Sequence, residues 1–170
     1  MWNKALAAVL TVGVIGTAGA VWSSANEASG AAVGKYMRTA KVSLQEGLKA
    51  AESEGQPISG KFEVNEGQLQ LAVYTAKDGK FSEVLVDQST GKVAKSEAIT
   101  AGNDLADAQK QMEAYSKSQT SLKIAVSRAE LANPGYHAVS VTPTLSHGLP
   151  VAVVSLAQWT QVKSVAEPLT

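Results

Sequence analysis

The spacing of apolar residues changes along the chain from helical to alternating and then repeats that change. Apolar residues lie at helical spacing from Val42 to Ala51, with polar residues on the opposite face, which predicts a helix over residues 39–54. Beyond it the apolar residues alternate with polar ones, which predicts a series of strands separated by turns. The predicted strands cover residues 61–64, 68–76, 81–87 and 92–99. A helix followed by an antiparallel meander is the expected local structure.

The second part of the chain has a similar pattern. An apolar stripe at three- and four-residue spacing predicts a linking helix within residues 101–120. Its members are Leu105, Ala108, Met112 and Tyr115. A further helix is expected over residues 122–131, followed by a strand over 136–141 and a turn-rich loop over 142–150. Two last strands are predicted at 151–156 and 159–165.

The two helix-plus-meander segments match at an offset of 78 residues. Ser43-Leu44 corresponds to Ser121-Leu122, and Phe81 corresponds to Trp159. The predicted fold class is therefore α+β, with tandem units of one helix packed on a small antiparallel meander. The predicted domains are unit 1 at 39–100, the linking helix at 101–120 and a degenerate unit 2 at 121–170.

The N-terminus predicts export. Lys4 is followed by an uncharged run from Ala5 to Trp22, in which Ala18-Gly19-Ala20 has the small-x-small form of a cleavage site. Residues 1–25 are therefore interpreted as a signal peptide. The alternative is an uncleaved anchor in the inner membrane, because about 20 apolar residues can span a bilayer. Residues 26–38 are expected to form a flexible leader.

Composition narrows the choice of function. The chain has 170 residues, with 15 basic and 15 acidic side chains and no cysteine. A zero net charge argues against a general electrostatic grip on nucleic acid. The lack of cysteine excludes disulfides, thiol nucleophiles and Cys-ligated metal centres. Export without disulfides favours a bacterial periplasm or extracellular location over a small eukaryotic secreted domain.

A resemblance to a known family is centred on the first unit. The segment Ser43-Leu-x-x-Gly-Leu-x-x-Ala51 precedes a meander that contains Val86-Asp87-Gln-Ser-Thr-Gly91-Lys-Val93. This stretch of about 60 residues resembles a PepSY domain. The resemblance implies a small α+β module without catalytic residues, found in propeptides that inhibit or chaperone secreted peptidases and in free-standing envelope proteins.

The residues that carry the resemblance are suited to turns. Asp78-Gly79 is a hairpin signal, since both residues tolerate a positive φ. Asp87 and Thr90 can accept backbone N–H groups within the next turn, and Gly91 supplies a positive φ before the following strand. We therefore expect all five residues to have a structural role.

No catalytic or metal-binding pattern is present in the sequence. There is no Gly-x-Ser-x-Gly elbow and no phosphate-binding loop, so we expect a protein that is not an enzyme and needs no cofactor. His137 and His147 are weak candidates for a zinc or copper site, which would require the two side chains to converge. A small-ligand or metal carrier is therefore one of three hypotheses for the function.

Binding of another protein is the better expectation. The edges of a small sheet can accept an extended peptide, and the 142–150 loop could form further contacts. Tyr136 and Trp159 are predicted either to join the core or to form an aromatic contact face. The expected function is that of an exported protein-binding module, with a peptidase as one partner. The alternative is a structural or accessory subunit of an envelope membrane complex.

Overall fold

The computed structural model describes residues 24–170, with side chains from residue 30 onward. The predicted signal peptide or anchor of residues 1–25 lies almost entirely outside the described residues. The helices are α1 Ser24–Tyr36, α2 Leu44–Ala51, α3 Gly102–Ser116 and α4 Leu122–Leu131, with a short 3-10 helix at Met37–Thr39. The strands are β1 Gln56–Asn65, β2 Gln68–Lys77, β3 Lys80–Val86, β4 Val93–Ile99, β5 His137–Ser146, β6 Leu149–Gln158 and β7 Gln161–Pro168.

All seven strands form one antiparallel sheet in the order β4-β3-β2-β1-β5-β6-β7. Helices accompany this sheet, so the fold class is α+β. The two meanders meet where β1 lies beside β5, and only Gly60↔Val141 and Lys61↔Ser140 are paired there. The sheet therefore has a narrow seam at its centre.

β1 and β5 are alike in detail. Both have ten residues and the same succession of exposed, buried and half-buried positions. Both also shift register against the following strand near their start, between Pro57 and Ser59 in β1 and between Ala138 and Ser140 in β5. A bulge of this kind bends a strand and increases its twist.

One face of the sheet is covered by α2 and α4. A Cβ added at Gly47 of α2 would collide with Leu71, and Gly60 of β1 lies beneath Leu44 and Leu48. Burial of these apolar side chains is the main stabilising term for the fold. The buried core includes Leu44, Leu48, Ala51, Phe62, Leu71, Val73, Val84, Leu122, Val126, Val141, Val154, Leu156 and Leu169.

Polar contacts tie α2 and α4 together side by side. Gln45 Nε2 donates to Glu130 Oε2 over 2.6 Å at one end, and Lys123 pairs with Glu52 at the other. The other oxygen of Glu130 accepts the backbone N–H of Ala138 at 2.8 Å. Because the start of each helix lies beside the end of the other, the two helices are antiparallel across the seam.

The opposite face of the sheet carries α3 and α1. The hydroxyl of Ser59 donates to Gln111 of α3 over 2.7 Å. In α1, a Cβ added at Gly30 would lie 2.9 Å from a methyl group of Val162, and one added at Gly34 would meet the backbone oxygen of Trp159. α1 can therefore lie close to the sheet because these two positions lack side chains.

Several boundaries differ from the expectations. The first predicted helix, 39–54, is shorter, because Ser43 begins α2 with a capping box to Glu46. The predicted flexible leader at 26–38 is wrong, since α1 and the 3-10 helix occupy it. β1 starts at residue 56 rather than 61, and β5 runs through much of the predicted 142–150 loop.

The sequence distance between matching elements of the two halves is also not the constant offset of 78 residues that the sequence predicts. The N-cap serines, Ser43 and Ser121, are 78 residues apart, but the strands β1 and β5 begin 81 residues apart. The predicted match between Phe81 and Trp159 is therefore wrong. Phe81 lies in β3, whereas Trp159 lies in the turn between β6 and β7.

Candidate functional site

The two histidines lie at opposite ends of β5. His137 begins the strand, and His147 follows its last residue, so their separation along the strand is about 33 Å. His147 contacts only its neighbour Ser146 among the hydrogen bonds of the described side chains, at 3.3 Å from Nδ1. The structure therefore does not bring together the proposed ligand pair. Within residues 24–170, no group of three or more His, Asp or Glu side chains could hold a metal ion.

The predicted turn residues occupy the tight turns of the first meander. Asp78 and Gly79 join β2 to β3 with φ values of 51° and 74°. In the next turn, Asp87 Oδ1 accepts the backbone N–H groups of Ser89 and Thr90, each at 2.8 Å. These hydrogen bonds lower the pKa of the Asp87 carboxyl group, the one from Thr90 having the largest effect.

Gly91 completes that turn. It has a φ of 71°, and its N–H donates to the Asp87 carbonyl oxygen over 2.8 Å. The Thr90 hydroxyl lies 3.4 Å from the Lys92 nitrogen and accepts its N–H. The turn is therefore stabilised by its own residues.

The turn between β6 and β7 is built from different residues. Trp159 takes the first turn position with a φ of 58°, followed by Thr160. A bulky residue in this left-handed region is strained, because its Cβ crowds the backbone. The side chain of Trp159 is also 61% exposed. The alternating pattern predicts that Trp159 begins a strand, which is wrong, because it lies in the turn before β7.

Two cations lie over aromatic rings around this turn. The Arg38 guanidinium lies 4.5 Å from the centre of the Trp159 ring, and Lys163 Nζ lies 4.1 Å from the centre of the Tyr136 ring. The Tyr136 hydroxyl also donates to Gln161 Oε1 over 3.0 Å. We call Arg38, Tyr136, Trp159 and Lys163 the aromatic–cationic patch.

The patch has an excess of positive charge. Neither Arg38 nor Lys163 forms an ion pair with a carboxylate in the described part of the chain. Residues 28–45, which lead into and past Arg38, contain three basic residues and no acidic one. Sequence analysis missed both cations, although the run of basic residues without acidic ones was a visible signal for Arg38.

A polar network lies on the sheet face that carries α3. Tyr74 donates its hydroxyl proton to Asp104 over 3.3 Å, and Tyr74 is paired across the strands with Glu83. Burial raises the pKa of Tyr74, and nearby Glu83 and Asp104 raise it further. Burial also raises the pKa of Glu83, which Lys61 partly opposes. Sequence alternation could have placed Tyr74 opposite the core, but not beside a residue of α3.

A shallow depression lies where α2, α3, α4 and the start of β1 meet. Its empty volume is about 240 Å³, including space open to solvent. It is lined by Leu48, Glu52, Gln56, Pro57, Tyr115, Ser121, Leu122 and Lys123. Small-molecule sites usually enclose most of their ligand within roughly 300–1,000 Å³. The depression is therefore a poor fit to a carrier function.

No helix among residues 24–170 combines the length and hydrophobicity that a membrane crossing requires. Comparison with protein-family models gives no match, and comparison with curated proteins gives none either. Among solved structures, the chain is similar to a candidate lipoprotein from Clostridium difficile 630. The two share 10% sequence identity with a TM-score of 0.42, over 72% of this chain and 80% of that one.

Proposed function

We propose that this protein is an exported, non-catalytic module that binds another protein through the aromatic–cationic patch. The observation that supports this most strongly is Trp159, which is 61% exposed at a turn position with a φ of 58°. Strained residues tend to occur at functional sites, where another requirement outweighs the local cost. A large exposed indole is also a frequent anchor in protein interfaces.

The neighbouring cations indicate the chemistry of the partner. The Arg38 guanidinium lies over one face of the Trp159 ring and has no carboxylate partner among the described residues. A guanidinium stacked on an aromatic ring can still form two parallel hydrogen bonds with a carboxylate. We therefore expect a partner that presents an apolar side chain beside acidic residues.

The resemblance to PepSY domains suggests a class of partner. We propose that the two halves are copies of one PepSY-like unit, because β1 and β5 share their burial pattern and their bulge. Each half also has a serine-capped helix before its first strand, starting at Ser43 and Ser121. A secreted or membrane-bound peptidase that is restrained or chaperoned is the partner that this resemblance implies.

Affinity capture from the native cell envelope tests the proposal. The tagged full chain, crosslinked and analysed by mass spectrometry, should recover one protein that Trp159→Ala recovers on the order of tenfold less. Leu131→Ala is the matched control, because Leu131 is 81% exposed but lies at the end of α4, outside the patch. Equal recovery by all three proteins would contradict the proposal.

Recovery of a peptidase would lead to inhibition measurements with the same three proteins. Its activity should fall when the wild-type chain is added and recover with Trp159→Ala. A captured peptidase that keeps full activity at saturating concentrations would exclude the inhibitor form of the proposal while leaving the binding function in place.

A second candidate is an accessory subunit held at the membrane. It is favoured by α1, which begins two residues after the apolar run that ends at Trp22 and packs on the sheet through Gly30 and Gly34. If the run stays in the bilayer, the sheet is held close to the membrane surface. The intact mass of the envelope protein decides this, since loss of about 20 N-terminal residues would exclude the anchored form.

A further inference from the structure

Strand β4 is one outer edge of the sheet and is its most exposed strand. Within residues 24–170 it pairs with β3 alone, and all five residues from 94 to 98 are exposed. No strand of this described part of the chain lies beside its outward backbone N–H and C=O groups. Such an edge is a template for pairing with another strand.

The sequence of this edge is complementary to itself. Residues 94–98 read Ala-Lys-Ser-Glu-Ala, which has a small residue at each end and opposite charges on either side of Ser96. In an antiparallel pair of two such strands centred on Ser96, Lys95 would face Glu97 of the second copy. Opposite charges that face each other across strands are stabilising, and like charges are destabilising.

We propose that β4 pairs with β4 of a second copy of this chain, antiparallel and centred on Ser96. The pairing joins two sheets into one continuous sheet, related by a two-fold axis through the centre of the edge. An interface of this type is self-complementary, as two-fold dimers require. The occupant of the edge is therefore a second copy of this chain.

The charges also fix the register. Lys95 Nζ already lies 2.6 Å from Glu97 Oε1 within the chain, so both side chains lie on one face of the strand. In the dimer, each lysine has one glutamate beside it and another opposite it, and the four charges alternate. Centring the pair on Lys95 or on Glu97 would place like charges opposite each other, which disfavours both registers.

The neighbouring strand gives a second reason for a cation here. Glu97 is paired across the strands with Glu83, whose carboxyl group lies on the same face and is close to Glu63 and Asp104. Lys95 of the second copy would bring a positive charge to this acidic face. The interface is short, because a register shift near Val93 ends the regular ladder at that side. We therefore expect a reversible dimer.

Charge exchange tests the proposal directly. Lys95→Glu and Glu97→Lys, each alone, should weaken dimerisation of the full chain by about tenfold in sedimentation equilibrium. An equimolar mixture of these two variants should form a heterodimer, because every facing pair then has opposite charges. The double variant with both changes should dimerise like the wild type. A wild-type chain that stays monomeric, or single variants that dimerise normally, would overturn the proposal.

Disulfide formation between two copies tests the proposed register independently. The chain has no cysteine, so Ser96→Cys introduces one thiol per copy. Facing Cα atoms in an antiparallel pair are about 4.5–5.5 Å apart, which is within the range that a disulfide spans. Mild oxidation should give a covalent dimer for Ser96→Cys but not for Ser164→Cys, a control on the other edge strand, β7. Equal crosslinking of both, or none for Ser96→Cys, would contradict this pairing.

Neither the charge exchange nor the disulfide test involves the aromatic–cationic patch. Failure of the dimer proposal would therefore leave the proposed binding function unaffected.

Discussion

The two halves of the sheet have similar backbones but use different residues to form them. In the first half, the turn between the second and third strands is Asp78-Gly79, which suits a left-handed backbone. In the second half, the equivalent turn begins with Trp159, which does not. The first half follows local backbone preference at this turn, whereas the second departs from it. The second turn therefore carries a local backbone cost at the residue whose ring lies under Arg38.

The same contrast is found beneath the helices. The first half places Gly47 over the large side chain of Leu71. The equivalent positions in the second half, 78 residues on in the helix and 81 in the strand, are Ala125 and Ala152, both fully buried. In the first half, a glycine without a side chain lies over a large leucine. In the second half, two small alanine side chains occupy the equivalent positions. Equivalent layers can thus be packed with different distributions of volume.

The largest expected effect tests this exchange of volume. Leu71→Ala should lower the free energy of unfolding by about 2–5 kcal/mol, because it leaves a cavity beneath α2. Gly47→Ala should lower it by about 1–3 kcal/mol through overpacking against Leu71, despite the higher helix propensity of alanine. In the Leu71→Ala background, Gly47→Ala should become neutral or stabilising. Urea unfolding of the four proteins measures the coupling, and strictly additive effects would show that these residues do not share one space.

The helix caps are the next comparison. Ser43 and Glu46 form a reciprocal capping box, while Ser121 only accepts the Ile124 N–H. Ser43→Ala should cost about 1 kcal/mol, and Ser121→Ala should cost less, because only one hydrogen bond is lost. Chemical denaturation at pH 7 checks the order. A larger loss for Ser121→Ala would mean that α4 depends on its cap more than α2 does.

Relief of strain at the second turn should give a smaller effect of the opposite sign. Trp159→Gly removes a side chain from a backbone with φ 58°, so the free energy of unfolding should rise by up to about 1 kcal/mol. Gly79→Ala at the equivalent turn of the first half should lower it by about 1 kcal/mol, because Gly79 has a φ of 74°. Thermal unfolding compares the pair. Destabilisation by Trp159→Gly would show that the contact with Arg38 outweighs the strain.

The smallest expected effect concerns pH. The pKa of Glu83 is raised in the folded protein, mainly by burial. Ionisation of this group therefore lowers the free energy of unfolding as the pH rises through and above the ordinary pKa range of a glutamate. The equivalent residue in the second half is the uncharged Ser164. Glu83→Gln should therefore raise Tm at pH 7 and have no effect at pH 3, where the carboxyl group is neutral in both states. Glu66→Gln, in an exposed turn, is the control, and a Tm gain that persists at pH 3 would contradict this explanation.

Sequence patterns were informative where local chemistry determines the structure. The apolar spacing around Leu48 and the Asp78-Gly79 signal correspond to a helix and a hairpin turn in the structure. The prolines led to wrong predictions of the strand boundaries. The sequence pattern around Pro143 predicts a loop, yet this residue lies within β5 beyond the two residue pairs that join β5 to β1. Among the described residues, no strand lies beside its outer side there, which is where a sheet tolerates proline.

Features that depend on tertiary packing were not predictable. α1 has little amphipathic patterning, and its place depends on Gly30 and Gly34 lying over β6 and β7, far away in sequence. The same holds for the aromatic–cationic patch. Sequence analysis could name Tyr136 and Trp159 as possible contacts, but Arg38 is 121 residues from its ring in the chain. Only the folded sheet brings that pair together.

The contact between α1 and the last hairpin has a consequence for the order in which the molecule can be completed. The first helix of the described chain rests on Ala157 and Val162, which are synthesised long after it. Until these residues emerge, α1 has no place to pack, although α2 and the first meander can already form. A nascent chain therefore keeps α1 without its packing surface until the β6–β7 hairpin has been synthesised, although the helix itself is made first.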